Sequence, residues 1–192
     1  NEEDIVILTS DHGMSFPYVK GDCYGTSTNV PFMIRNNRIL KKHDKFNLIS
    51  HVDFLPTMAE WLNFEGEFDG DSYYSLLTKD TKRQNQVVYA QLNRMFDGPD
   101  CRIRSLIKKD ICYTINLDQL FPGWCVDGWG WDKPLKEMDA SYCLRPIEQL
   151  LRYEKLNIFP IEDDKMKLEM RKEIFDFMKK YNDPEIMHAK KR

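Results

Sequence analysis

Two short apolar runs near the start of the chain predict strands. Residues 5–8 are four consecutive apolar residues, and polar Thr9 and Ser10 follow them. An apolar run of this length between polar residues is typical of a buried strand. Residues 30–34 form a second run, with Pro31 near its start, where a missing N–H does least harm. We therefore expect two buried strands in the first part of the chain.

Two later stretches have the three-to-four-residue spacing of amphipathic helices. Residues 53–62 carry apolar side chains on one helical face, with Asp53 as a candidate cap. Residues 162–181 show the same spacing, and the acidic pair Asp163 and Asp164 suits the first turn of that helix. The apolar stripe of the second helix is expected to pack in a core, and its members are Met166, Met170, Ile174, Phe177, Met178 and Tyr181.

The stretch between these helices predicts antiparallel strands. Residues 87–92, 102–108 and 111–117 are strand candidates, and Lys109 with Asp110 suits a tight hairpin turn. Residues 78–86 are polar and highly charged, as in a linker. The predicted fold class is therefore α/β, with a sheet domain in residues 1–78 and a small antiparallel-sheet-plus-helix subdomain in residues 79–192.

Composition limits the range of partners. Of the 192 residues, 42% are hydrophobic and 31% are charged, which is typical of a globular protein. The net charge is −3 and basic runs are short, so we expect no nucleic-acid partner. No apolar run approaches the roughly 18 residues of a membrane span. The five cysteines lack metal-type spacing, which argues against a zinc ribbon and leaves one disulfide or none open.

Residues 121–132 are the most unusual segment, with three tryptophans and three glycines. They suit either an aromatic wall for a sugar ring or a loop that packs under the small subdomain. Packing is favoured because tryptophan is usually a core or interface residue. For similar reasons, His51 is interpreted as a structural histidine and Cys23 as an ordinary thiol.

The candidate functional residues lie directly after the first predicted strand. Ligands bind beyond the carboxyl ends of strands in open α/β sheets, and Asp11 and His12 lie at that point. A carboxylate at the end of a buried strand needs a partner, because an unpaired buried charge is costly. Gly13 permits a sharp turn there. The pair is therefore a candidate metal site, in which an oxygen ligand suits calcium and an imidazole suits zinc.

The order of these motifs resembles the sulfatase branch of the alkaline phosphatase superfamily. The resemblance covers about residues 4–78 and rests on residues 9–13 (TSDHG), Lys20, Tyr24, Val30-Pro31, Asp53 and Pro56-Thr57. Within that branch, Phe16 and Pro17 are similar to a pair found in heparan N-sulfatase-like (N-sulphoglucosamine sulphohydrolase-like) enzymes.

The resemblance implies roles for three residues. Asp11 and His12 would bind a divalent metal, calcium first, with zinc or manganese as alternatives because of His12. Lys20 would contact the sulfate as a catalytic and substrate-binding residue. The implied substrate is a sulfated carbohydrate or another sulfate ester. The implied location is secreted, periplasmic or lysosomal.

The reaction centre of the resembled family has no counterpart in this sequence. That centre has a Cys-x-Pro-x-Arg or Ser-x-Pro-x-Arg motif, whose first residue becomes formylglycine, and an Asp-Asp pair after the first strand. Neither Cys125 nor Cys143 has this context. We therefore expect a C-terminal fragment, inactive alone, that is completed by the missing N-terminal half of the catalytic domain.

Two other interpretations stay open. In the phosphatase and phosphodiesterase branches of the superfamily, Asp-His-Gly supplies two zinc ligands beside a Ser or Thr nucleophile. The chain would then be a fragment of a zinc-dependent phosphatase or phosphodiesterase. The third interpretation is a non-catalytic sulfatase-like domain that binds a partner or a glycan.

Overall fold

A computed structural model describes residues 1, 3–13, 21–37, 48–79, 81, 87–94, 100–118, 148–154 and 157–187. The strands are β1 (Val6–Thr9), β2 (Phe32–Arg35), β3 (Val88–Arg94), β4 (Asp100–Lys108), β5 (Ile111–Asn116), β6 (Glu148–Glu154) and β7 (Asn157–Pro160). The α-helices are α1 (Gly25–Thr28), α2 (Phe54–Leu62), α3 (Tyr74–Thr78) and α4 (Asp164–Lys180), and a 3-10 turn at His51–Asp53 precedes α2.

The elements group into two compact units. One consists of Asn1–Thr9 with Pro31–Val88, and the other of Ser10–Val30 with Tyr89–Arg192. Each unit combines helices with an antiparallel sheet, so the predicted α/β class is confirmed. The domain boundary at residue 78 stays a prediction. The tryptophan-rich segment 121–132 lies outside the described residues. No helix among those described is long and apolar enough to cross a membrane.

The first unit contains a two-stranded ribbon with one open face. β1 and β2 are the two predicted strands, and they pair antiparallel with Leu8 opposite Met33. However, Leu8 and Met33 are each 56% exposed, and Val6 on the same face is 52% exposed. The prediction of buried strands is therefore wrong for this face. The reason is that, among the described residues, β1 and β2 pair only with each other and nothing covers that side.

A buried aspartate organises the rest of the first unit. Asp53 is 3% exposed, and its carboxylate accepts hydrogen bonds from the N–H groups of Ser50 and Asp71, both at 2.9 Å. The Asp53 carbonyl accepts a hydrogen bond from the Thr57 hydroxyl at 2.6 Å. The Thr57 hydroxyl oxygen in turn accepts a hydrogen bond from the N–H of Tyr73 at 3.0 Å. Asp53 is the N-cap residue of α2, but its side chain makes no capping hydrogen bond to that helix, so the predicted side-chain cap of α2 is wrong. Its carboxylate instead completes a capping box with Ser50 at the start of the 3-10 turn. The same contacts also fasten the following loop to α2.

The second unit is built on a sheet with the order β3-β4-β5-β6-β7. The predicted hairpin turn is confirmed, because Lys108 pairs with Ile111 and Lys109 adopts a φ of 51°. β5 is the central strand, and its side chains are buried or half-buried on both faces. Tyr113 and Ile115 lie on one face, where they are paired with residues of β4 and β6. The opposite face of β5 presents Cys112, Thr114 and Asn116.

Helix α4 packs on the face of this sheet that carries Tyr113. Its Glu173 accepts a hydrogen bond from Lys108 of β4, at 2.5 Å. The predicted apolar stripe is confirmed at Met170, Ile174 and Met178, which are at most 3% exposed. Phe177 of the same stripe stacks on Tyr89, with ring centroids 3.7 Å apart. Tyr181, at the end of the stripe, is 43% exposed, because the helix has ended at Lys180.

The two acidic residues at the start of α4 lie where the sequence predicts them. The Asp163 carboxylate accepts a hydrogen bond from the Met166 N–H at 2.9 Å, and Asp164 lies in the first turn. This arrangement satisfies a backbone donor that the helix leaves unpaired, and the negative charge favours the helix N-terminus. The predicted first-turn cap is confirmed.

A buried ion pair joins the far end of α4 to the sheet. The Arg104 guanidinium donates to both carboxylate oxygens of Asp183, at 2.6 and 3.0 Å. The side chains are 4% and 8% exposed. Burial raises the pKa of Asp183, but the Arg104 hydrogen bonds and charge and the Glu185 N–H outweigh burial, so the pKa lies below its usual value.

Replacing Asp183 by Asn should lower the free energy of unfolding by about 3 kcal/mol near neutral pH. The physical reason is that Arg104 would keep its charge in a buried place without a counter-ion. Urea denaturation, followed by circular dichroism, measures the change. Asp176→Asn, in α4 itself, is the control, because the side chains of the Asp176–Lys179 pair are both more than half exposed. The control should cost at most about 0.5 kcal/mol.

The same pair predicts a pH dependence. Because folding depresses the pKa of Asp183, its contribution is fully present above the unfolded-state pKa and is lost as pH falls through the lower folded-state value. The stability difference between the wild-type chain and Asp183→Asn should therefore shrink below about pH 4. A difference that stays constant down to about pH 2 would contradict this account of the pair.

Candidate functional site

The candidate site is a short turn that begins one residue after β1. The Ser10 hydroxyl donates to the His12 carbonyl at 2.8 Å, and the His12 N–H donates to Asp11 Oδ1 at 3.0 Å. Both bonds close the chain on itself, so the two side chains are presented from one compact turn. The structure thus brings the predicted ligands Asp11 and His12 together.

Local contacts orient the imidazole of His12. Its Nδ1 lies 2.8 Å from the carbonyl oxygen of Gly13. Since a carbonyl oxygen only accepts, Nδ1 must carry the proton in this contact. In the neutral ring, Nε2 then keeps its lone pair, which is the tautomer a metal-binding histidine needs. Nε2 lies 3.3 Å from Asp11 Oδ2.

This pair of donor atoms suits a divalent cation. Two ligands at about 2.1 Å from a tetrahedral zinc ion are roughly 3.4 Å apart. Two neighbouring ligands at about 2.4 Å from a calcium ion have a similar separation, also roughly 3.4 Å. The 3.3 Å between Asp11 Oδ2 and His12 Nε2 is compatible with either geometry. The described residues contain no group of three or more His, Cys, Asp or Glu side chains that could hold a metal.

The turn is open to solvent. The Asp11 side chain is 83% exposed and that of His12 is 42% exposed. The argument that a buried carboxylate requires a partner is therefore wrong for Asp11. Residual desolvation raises the pKa of Asp11, but hydrogen bonds from the backbone N–H groups of Asp11 and His12 and the nearby imidazole outweigh it and lower the pKa. The carboxylate is thus ionised and accessible to a cation.

The other predicted residues divide into described and undescribed positions. Lys20, the predicted sulfate contact, lies outside the described residues, as does the Phe16-Pro17 pair. Cys23 is a buried free thiol, which matches its interpretation as an ordinary cysteine. His51 places Nε2 3.5 Å from the Thr9 hydroxyl, at the carboxyl end of β1. The sequence contained no signal for this position of His51, because the contact spans 42 residues.

Comparison with known proteins identifies the class of this fold. A family model of the sulfatases matches residues 1–64, the first third of the chain. A 2-O GAG sulfatase structure superposes with a TM-score of 0.64 at 18% identity, over 93% of this chain and 37% of that one. A candidate sulfatase from Bacteroides thetaiotaomicron VPI-5482 gives 0.53 at 18% identity, over 97% of this chain and 36% of that one. No curated protein matches the sequence.

These likenesses define a mixed α/β chain with the fold of sulfatase structures. The chain spans little more than a third of the length of the two sulfatase structures described above. The matched stretch 1–64 contains β1, the Asp11–His12 turn, α1, β2 and α2. The candidate site therefore lies within the part of the chain that carries the sulfatase sequence pattern.

Proposed function

We propose that this chain is the C-terminal portion of a sulfatase that hydrolyses sulfate esters or N-sulfates of a sugar or another small substrate. The observation that carries the proposal is the Asp11–His12 pair, with Oδ2 and Nε2 3.3 Å apart, inside the stretch that the sulfatase family model matches. A structural neighbour acts as a 2-O GAG sulfatase, which supports a sulfated carbohydrate as the substrate class. The Phe16-Pro17 resemblance favours the heparan N-sulfatase-like group within it.

In this proposal, Asp11 and His12 hold a divalent metal ion. The Gly13 carbonyl keeps the proton on His12 Nδ1, so that Nε2 faces the metal together with Asp11 Oδ2. Bound there, the ion would supply Lewis-acid neutralisation of charge on the sulfate oxygens. Calcium is the first candidate because sulfate and carboxylate are oxygen ligands, and His12 keeps zinc and manganese as alternatives.

Lys20 is proposed as the cationic contact to the sulfate. An ammonium group next to the sulfate would hold the ester and stabilise the charge that develops on the leaving oxygen. The nucleophile is proposed to come from the N-terminal half of the catalytic domain, because this sequence has no Cys-x-Pro-x-Arg or Ser-x-Pro-x-Arg motif. The chain would then be inactive by itself.

The open face of the first unit supports a further part of the catalytic domain as partner. Val6, Leu8 and Met33 expose apolar surface on one side of a ribbon that, in the described part of the chain, has only two strands. Such ribbons are marginal alone, because a two-stranded sheet needs further strands or a packed helix for independent stability. On α2, Leu55 and Leu62 add exposed side chains, at 54% and 60%. The proposed N-terminal half would extend the sheet and cover this apolar surface.

The second candidate function is a zinc-dependent phosphatase or phosphodiesterase of the same superfamily. The observation that favours it is His12, whose Nε2 is oriented as a ligand, because imidazole suits zinc better than calcium. Zinc as the bound metal together with phosphate-ester turnover would distinguish it from a sulfatase. A non-catalytic glycan-binding domain is the outcome if the protein binds sulfated sugars and turns over neither ester.

The metal role of Asp11 is tested in the protein produced from its complete reading frame. Asp11→Asn should lower affinity for the metal at least about tenfold, since losing even an outer-shell partner costs that much. Isothermal titration with calcium and with zinc, after removal of bound metal by a chelator, measures the change. Hydrolysis of p-nitrophenyl sulfate should fall in parallel, whereas p-nitrophenyl phosphate tests the alternative.

Asp69→Asn is the matched control for this experiment. Like Asp11, Asp69 is an exposed aspartate, and it takes no part in the proposed site. The control should bind metal and hydrolyse the sulfate ester as the wild type does. Unchanged metal affinity in Asp11→Asn would sink the proposed metal site.

The role of Lys20 gives a separate prediction. Lys20→Met keeps the length of the side chain and removes its charge, so sulfate-ester turnover should fall about 100-fold or more. Metal affinity should stay within about twofold, because Lys20 is not a ligand. Lys79→Met, at an exposed lysine among the described residues, is the control. Full activity in Lys20→Met would show that the sulfate contact lies elsewhere.

A further inference from the structure

The Asp11–His12 turn is held by a hydrogen bond to a very short helix. The N–H of Gly13 donates to the carbonyl of Ser27 at 2.9 Å. Ser27 lies in α1, whose four residues are closed by hydrogen bonds from the N–H groups of Ser27 and Thr28 to the Tyr24 carbonyl, at 2.9 and 3.0 Å. The position of the Ser27 carbonyl, and with it that of Gly13, therefore follows the position of Tyr24.

A helix of four residues does not hold its place by itself. Isolated helices shorter than about 12 residues are marginal in water, because nucleation costs more than so few hydrogen bonds return. The location of α1 must therefore come from contacts outside the helix. The residues just before it supply them, since Asp22, Cys23 and Tyr24 are 7%, 3% and 3% exposed.

These contacts lead to the C-terminal sheet. The Tyr24 hydroxyl donates to Oε1 of Gln149 in β6, at 2.6 Å. The Cys112 thiol of β5 lies 3.9 Å from the Cys23 carbonyl oxygen. Gln149 is paired across strands with Thr114, so it lies on the sheet face that also carries Cys112, opposite the face of Tyr113. That face of the sheet is thus the surface on which the segment before α1 rests.

From this chain of contacts we infer that Tyr24 and Gln149 are positioning residues for the Asp11–His12 turn. The hydrogen bond between them ties α1 to β6, and α1 holds Gly13, whose carbonyl in turn orients His12. The small C-terminal sheet would thereby set the geometry of the metal pair, although neither proposed ligand lies in it. The metal part of this inference rests on the proposed function, whereas the positioning of Gly13 does not.

The direct test is hydrogen exchange of the Gly13 amide, measured by NMR. Tyr24→Phe removes the hydroxyl and keeps the ring, and Gln149→Leu removes the acceptor and keeps the approximate size. Each should speed exchange at Gly13 about three- to tenfold, as expected for the loss of one hydrogen bond. Gln149→Glu keeps an acceptor oxygen and should stay within about twofold of the wild type.

A double-mutant cycle and a control separate positioning from general loss of stability. Because the two side chains contact each other, the effects of Tyr24→Phe and Gln149→Leu should not add in the double variant. Asp183→Asn breaks the buried ion pair with Arg104, which lies on the Tyr113 face of the same sheet, opposite the face of Gln149. It should lower global stability without speeding exchange at Gly13 selectively.

Metal titration in the same variants distinguishes this inference from the proposed function. Both stand if Asp11→Asn weakens metal binding at least about tenfold, and Tyr24→Phe and Gln149→Leu weaken it several-fold while Gln149→Glu does not. If Asp11→Asn has no effect on metal binding but Gly13 exchange rises in the two positioning variants, the positioning role stands and the proposed metal site fails. Unchanged Gly13 exchange in both Tyr24→Phe and Gln149→Leu overturns the positioning role whatever the metal does.

Discussion

The burial of β5 on both faces is the constraint on which the second unit depends. In an antiparallel sheet one face can meet water, yet here Cys112, Tyr113, Thr114, Ile115 and Asn116 are each at most 2% exposed. Each face must therefore be covered, and every polar side chain on it must find a partner inside the protein. Thr114 does so through the Ser105 hydroxyl at 2.9 Å. The segments that cover the two faces are therefore fixed in position by the sheet.

The two faces of this sheet have different coverings. On the Tyr113 side, helix α4 contributes its apolar stripe, and the Tyr113 hydroxyl donates to Glu148, which also pairs with Lys167 of α4 at 3.3 Å. Burial and the Glu148 carboxylate raise the pKa of Tyr113 well above its usual range, so the phenol stays a donor. On the opposite side, the chain between the candidate site and β2 supplies the cover through Cys23 and Tyr24. A structural sheet and a candidate site are thus linked by one buried face.

The first unit depends on a more local device. Asp53 joins the start of α2 to the loop that returns past it, by two hydrogen bonds to its carboxylate. Desolvation of the Tyr73 phenol, and after it the negative charge of Asp53, raise the pKa of Tyr73 to about 12. Among the described residues, nothing comparable covers the ribbon of β1 and β2, which leaves Val6 and Leu8 exposed. The proposed completion of the sheet by another part of the catalytic domain would explain why this face of the ribbon is exposed while the region around Asp53 is buried.

The local pattern by itself determined most elements and the adjacency of the two candidate ligands. Strand alternation, the hairpin at Lys109, the cap at Asp163 and the stripe on α4 all arise from neighbours a few residues apart, for which backbone geometry and side-chain period are sufficient. Asp11 and His12 are adjacent in the chain, so their proximity was also visible there. Residues 111–117 alternate apolar and polar side chains, but that alternation did not show that Cys112 and Thr114 would be buried.

Only the tertiary structure decided the contacts between distant segments. Tyr24 meets Gln149 across 125 residues, and Arg104 meets Asp183 across 79. Such pairs depend on which segment packs on which face of the sheet. The periodicity of a segment does not predict the distant segment on which it packs. The exposure of Asp11 is the clearest case, since its strand looked buried from composition alone. Burial depends on how much apolar surface other segments bring to a strand, and that is a property of the whole fold rather than of the strand.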